Sequence, residues 1–325
     1  MGAAVDRVDA FQRRHPVIGL PLGVTYKFFD DQGNYLAAII TYYAFIAIFP
    51  MLLIASSVLG FLLQGNEDLE RQVLDSALSQ FPIVGTQLGQ PDGLQGSTSA
   101  IVIGTLTALY GALGLGQAAQ NAISTTLAIP RNSRLNPIVS RLRSLFLLLV
   151  AGVTLLAIAV LAIVASHTGT FGVDLGAGLR WLLRLASVVL TAAVLGVLVM
   201  LSSSKRQSFR DVLPGALTVA LLWQLLQTVG GVYVDHVVTK TDSINSVFAL
   251  VLGLLALVYI ASTIAVVGME INVVVANRLY PRALLTPFTD AVQLTDADRR
   301  VYTEYAQAQR HKGFQQVRVE FDEDR

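Results

Sequence analysis

The run Ser246–Asn277, SVFALVLGLLALVYIASTIAVVGMEINVVVAN, is apolar over nearly its whole length and carries one carboxylate, Glu270. A lone acid in such a run has three uses: relaying a proton or ion, contacting a substrate, or pairing with another polar group. A helix rises ~1.5 Å per residue and needs about 20 apolar residues to cross ~30 Å of hydrocarbon, so this run spans a bilayer with residues to spare. If its outer end lies near Ser246 and its inner end at Asn277 and Arg278, Glu270 sits about two turns inside the membrane. An ionisable group at that depth is costly and has to face protein or water.

Polar company for it is in short supply. Gln117, Gln120 and Asn121 lie at the inner end of an earlier apolar run. Should the helices bring them to Glu270, with Asn272 nearby, the inner half of the bundle holds a polar pocket. Otherwise they serve interhelical hydrogen bonds, worth about 1 kcal/mol each. His15, His167, His236 and His311 are scattered without ligand spacing, and cysteine is absent. No metal, cofactor, disulfide or thiolate chemistry is therefore expected.

The elements that must position these residues are membrane helices. The 325 residues are 54% hydrophobic and 14% charged, with mean hydropathy +0.60, against roughly 25% charged in a soluble average. Six long apolar runs stand out, at about 36–63, 100–120, 145–166, 181–201, 212–234 and 246–277, which predicts an all-α polytopic bundle of six transmembrane helices. An even count puts both termini on one side, and positive residues choose the side. Arg7, Arg13, Arg14 and Lys27 precede the first run, Arg131, Arg134, Arg141 and Arg143 fill the second loop, Lys205, Arg206 and Arg210 the fourth, and eight Lys/Arg residues the tail. The opposite side holds only Arg71, Arg180, Arg184 and Lys240. Both termini are expected in the cytoplasm. Net charge is only +1, so bulk attraction to nucleic acid is not indicated.

Residues 1–35 read as a cytoplasmic arm with no signal peptide, either lying at the membrane interface through Val17, Ile18, Leu20, Leu22, Val24, Phe28 and Phe29 or serving as a solvated lead-in. Pro50, in the middle of the first run, implies a static bend, with a hinge as the alternative. In the loop 64–98, Leu69, Val73, Leu74, Ala77, Leu78 and Phe81 recur at helical spacing and predict a short external amphipathic helix ending at Pro82. Gly104, Ala108, Ala112 and Gly116 form a small-residue stripe on the second run that suits close helix packing, within one bundle or between protomers. Residues 278–325 break from the apolar pattern into a polar cytoplasmic tail, in which Thr295 and Asp298 read as a capping pair for a helix over Thr295–Arg310.

The order of NYLAAIITYYAFIAIFPMLL at 34–53, VLPGALTVALLWQLLQ at 212–227, VFALVLGLLALVY at 247–259 and GMEINVVVANRLYPRAL at 268–284 resembles the YihY/BrkB family of bacterial inner-membrane proteins, formerly labelled ribonuclease BN. The resemblance runs from about Tyr26 to Leu285, and its Ala/Leu/Val-rich style is similar to actinobacterial members. It places Gly268, Glu270 and Asn272 on a Gly-x-Glu-x-Asn ending, with Gly268 a further small packing position. Asn245-Ser246 stands where members often carry Tyr-Gly. The resemblance implies a six-helix inner-membrane protein connected to envelope function and serum resistance.

Ribonuclease chemistry does not fit, because phosphodiester hydrolysis needs metal-holding carboxylates or positioned acid–base groups beside a cationic groove. The chain is expected not to be an enzyme. Two readings remain: a transporter or lipid translocator acting on an envelope lipid or other amphipathic substrate, and a non-transporting envelope-assembly scaffold. Membrane lipids are the expected partners, and self-association stays open. The topology predicts that a reporter fused after Arg325 reads cytoplasmic and one inserted at Gly93 reads external; the reverse pattern overturns it.

Overall fold

The computed structural model describes residues 3–62, 98–166, 177–237, 243–289 and 292–321, and these are helical with short connections. In chain order the helices are α1 (Ala3–Arg14), α2 (Pro16–Asp30), α3 (Gly33–Leu62), α4 (Thr98–Thr126), α5 (Pro137–Ser166), α6 (Ala177–Ser202), α7 (Phe209–Val237), α8 (Ser243–Ala276) and α9 (Asp296–Ala308). Among the described residues, four stretches are long and apolar enough to cross a membrane: Pro137–Thr154, Leu185–Ser202, Phe209–Gly230 and Val251–Ala276. A shorter apolar helix covers Gly33–Ile48. The expected external helix falls outside the described residues. Pro50 lies within the helical span of α3, and its side chain is likewise outside them.

Helix ends overrun the apolar runs. α4 continues to Thr126 and α5 begins at Pro137, against the expected 100–120 and 145–166. Hydropathy marks only the part that suits hydrocarbon, whereas backbone hydrogen bonding carries a helix on into the polar zone.

Each long helix packs on the next in sequence from α3 to α8, and α8 closes the ring against α3. Burial grades around that ring. Of the Val251–Ala276 window 33% is buried, against 11% of Pro137–Thr154, so α8 is the central helix and α5 an outer wall. Leu142, Leu145, Phe146 and Leu149 of α5 are exposed, as a lipid-facing surface requires.

Close approach depends on residues without side chains. Gly111 of α4 lies against the Ala47 backbone and Gly114 against the Tyr43 ring, both on α3. Gly116, from the predicted stripe, lies instead against Ser144 of α5, and Ala112 is half-buried. The side-chain surroundings of Gly104 and Ala108 are outside the described residues. Gly215 of α7 and Gly268 of α8 meet face to face, and Asn272 Oδ1 accepts the Gly215 N–H at 2.7 Å. A Cβ on Gly215 would overlap the Gly268 carbonyl.

Two short helices and the tail complete the same end of the bundle. α2 packs on α8, with Gly23 approaching the Leu279 carbonyl. α9 opens with a Thr295/Asp298 capping box, as the sequence indicates, and buries Val301 in a cluster with Val24, Val273, Val274 and Leu279. The tail is therefore packed against the bundle.

Gly→Ala inside a helix ordinarily stabilises by about 0.5–1 kcal/mol. Gly152→Ala should follow that rule, because nothing lies within 4 Å of its would-be Cβ. Gly215→Ala should reverse it, destabilising by about 1–3 kcal/mol through overpacking. Thermal unfolding of the two purified variants in detergent checks the opposite signs.

Candidate functional site

Glu270 is on the last turns of α8 and is 0% exposed. Its partner comes from the N-terminal arm: Lys27 Nζ of α2 stands 3.7 Å from Glu270 Oε2. The same ammonium pairs with Asp31 Oδ2 one turn along its own chain and donates to the Thr126 carbonyl of α4 at 3.1 Å. Three oxygens from α2, α4 and α8 thus surround one charged nitrogen that is almost wholly buried. Burial by itself pulls the Lys27 pKa down, and the Glu270 and Asp31 carboxylates outweigh it, so the group titrates above the ordinary lysine value.

The C-terminal segment closes the cluster. Tyr305 of α9 donates its hydroxyl to Asp31 Oδ1 and sets its ring 5.4 Å from Lys27 Nζ. Burial and the neighbouring Asp31 charge hold that phenol well above its usual range, so it remains a donor.

A second buried cation braces this closure. Arg282 is 0% exposed, pairs through Nε with Asp298 and through Nη1 with Asp30 at 3.1 Å, and lies between the rings of Tyr26 and Tyr302. The stretch 282–285 is not helical, so its backbone needs other partners. Gln12 donates to the Arg282 carbonyl at 2.6 Å; Ala283, Leu284 and Leu285 N–H groups donate to Asp298, Asp9 and the Tyr26 hydroxyl at 2.9, 2.8 and 3.0 Å. α1, α2 and α9 therefore grip the same four residues.

The pocket expected from sequence is arranged differently. Gln120 turns to α5, where it bonds Ser144 Oγ at 2.8 Å and the Ser140 carbonyl at 3.1 Å. Asn121 is exposed and accepts from Arg134 Nη1 at 2.8 Å, and Gln117 is half-buried. Asn272 caps the Gly215 N–H and lines a small cleft with Thr126, Gln207 and Met269. None of these amides is hydrogen-bonded to Glu270. Sequence reasoning missed Lys27, Asp31, Asp30, Arg282, Asp298 and Tyr305 as site residues. The i,i+4 spacing of Lys27 and Asp31 was the available signal.

The buried charges do not balance. Among the described residues, buried Glu270, Asp31 and Asp298, together with half-buried Asp30, face two buried cations, Lys27 and Arg282. Asp31, Asp30 and Asp298 each accept hydrogen bonds, whereas neither Glu270 oxygen meets a donor among the described residues. The Asp31 carboxyl shares the Lys27 ammonium with Glu270 and is itself an acceptor unless a proton lies between the two.

Removing one partner of a buried pair costs about 3–5 kcal/mol. Lys27→Met should therefore lower the thermal midpoint sharply, and Lys27→Met/Glu270→Gln should recover part of the loss. Because the folded-state lysine value is raised, its contribution is complete below pH 10.5, the ordinary value, and is lost only as the pH climbs beyond it. Melting curves of wild type and both variants on the alkaline side of neutrality test the assignment.

Comparison with known proteins bears on the same residues. A 102-residue stretch, 30% of this chain, is 29% identical to the inner membrane protein YhjD of Escherichia coli (strain K12) and covers 30% of that protein's length. No solved structure matches the chain. The family model described as virulence factor BrkB matches residues 24–290, a span that takes in Lys27, Asp31, Glu270 and Arg282. On that match over most of its length, the chain belongs to the BrkB virulence-factor family.

Proposed function

We propose that this protein is a six-span inner-membrane transporter or lipid translocator with both termini in the cytoplasm, moving an amphipathic or envelope-related substrate. The observation that carries the reading is Glu270: a membrane-helix carboxylate, fully buried, with no hydrogen-bond donor and only a shared ammonium opposite it. A static bundle gains little from such a group, since replacing buried ion pairs by well-packed apolar residues is often neutral or stabilising. Carboxylates held inside membrane helices serve relays and substrate paths. Likeness to a protein named for the inner membrane supports that location, and the charge distribution supports the topology.

A cluster built from three elements also suits a moving part. Lys27 is on α2, Glu270 on α8 and Tyr305 on α9, so a shift of α2 or α9 changes the electrostatics next to α8. The grip of α1, α2 and α9 on residues 282–285 favours the other reading, a scaffold whose inner end is locked.

Purified protein in vesicles containing a fluorescent anionic phospholipid separates the two. A translocator should speed exchange of the label between leaflets, and Glu270→Gln, folded and inserted equally well, should fall to the protein-free rate. Equal exchange in wild-type and empty vesicles removes the lipid translocator; equal exchange in wild type and Glu270→Gln removes Glu270 from the mechanism.

A further inference from the structure

We infer that Glu270 and Asp31 together hold one exchangeable proton, facing the Lys27 ammonium in a site closed by Thr126 and Tyr305. The inference adds a ligand to the cluster and stands whether or not the chain carries a substrate.

Three observations lead there. Asp31 and Glu270 pair with a single nitrogen, so with both ionised the innermost group carries one uncompensated negative charge in a region closed to water. Like charges that share a dry site do not both ionise. The unpartnered oxygens belong to Glu270, whereas Asp31 already accepts from Lys27 and Tyr305. The proton therefore forms its O–H bond on a Glu270 oxygen and is donated to the Asp31 carboxylate next to it. It comes from bulk water and returns there, and while it is bound Lys27 keeps one ionised partner, Asp31, in place of two.

Other charges face the pair from the elements packed on it. α2 adds Asp30, which the non-helical stretch after α8 answers with Arg282. α9 adds Asp298, also held by Arg282, together with Glu304 and the neutral phenols Tyr302 and Tyr305. Lys205 and Arg300 face Glu304 from the outside, and α4 contributes only the Thr126 carbonyl. The outer carboxylates thus have their own cations, and the deficit remains between Asp31 and Glu270. Glu304 is half-buried and its charge reaches Lys27. With one ammonium between two carboxyls, the loss of either carboxyl removes the uncompensated charge and with it the need for the proton.

The test is the carbonyl stretch of a protonated carboxyl, read by infrared difference spectroscopy on the full chain in lipid nanodiscs. At neutral pH the wild type should show this band, sensitive to exchange into heavy water and shifted when glutamate carboxyls are carbon-13 labelled. It should disappear in Glu270→Gln and equally in Asp31→Asn, and persist in Glu304→Gln. The labelled wild type keeps the test decisive even if a variant fails to fold. Absence of a glutamate carbonyl band at neutral pH, or its survival in either of the first two variants, overturns the inference. A melting midpoint raised by sodium and not by choline, with no such band, overturns it too, since a metal cation would then occupy the pair. A band that titrates in a protein that moves no lipid leaves the proton site standing and removes the translocator; lipid movement without the band does the reverse.

Discussion

An ammonium removed from water is stable only where carboxylates and carbonyls replace its hydration, and at the end of the bundle where α2, α8 and α9 meet that requirement falls on Lys27. Glu270, Asp31 and the Thr126 carbonyl meet it from three helices. Each would be costly without the others. The contact therefore fixes where α2 lies on α8 and where α4 ends. Tyr305 then joins α9 to the same cluster, beside the Asp298–Arg282 pair and the buried Val301 that also hold that helix.

Arg282 does for the chain path what Lys27 does for the helices. It stands just past α8, after the cis Tyr280–Pro281 bond, and bridges Asp30 and Asp298 while its own carbonyl is held by Gln12. Asp298 is at once a helix cap and a counter-ion, which ties the start of α9 to the guanidinium. The family match ends at 290 and begins at 24, so the two buried cations and Glu270 lie inside it, whereas α1 and α9, which supply Gln12, Asp9, Asp298 and Tyr305, lie beyond it.

Much of this was legible before any coordinates. The apolar runs locate the long helices because hydrocarbon selects composition residue by residue, and the Thr295/Asp298 cap was readable because capping is local. Glu270 stood out for the same reason: one charge against an apolar background. Its partner did not. Lys27 lies in a segment rich in charge, where a lysine also serves topology, and nothing local says that it turns inward. Gln120 and Asn121 were nearer in kind to what a buried acid needs, yet helix rotation points Gln120 at α5 and leaves Asn121 outside. Rotation about a helix axis is decided by the whole set of packed faces, and in α4 the deciding residues were Gly111 and Gly114 against α3 and Gly116 against α5.

The pairings that complete this end of the bundle join positions 252 and 274 residues apart, Asp30 with Arg282 and Asp31 with Tyr305. A ribosome adding about 5–20 residues per second delivers the arm long before its counterparts. Throughout that interval Lys27 has only the local Asp31 to answer it, a salt bridge one helical turn long that keeps the newborn segment neutral at this point until the last span is inserted. The i,i+4 pair is the one local contact of the cluster, and its closure waits for Glu270, Arg282 and Tyr305 to be made.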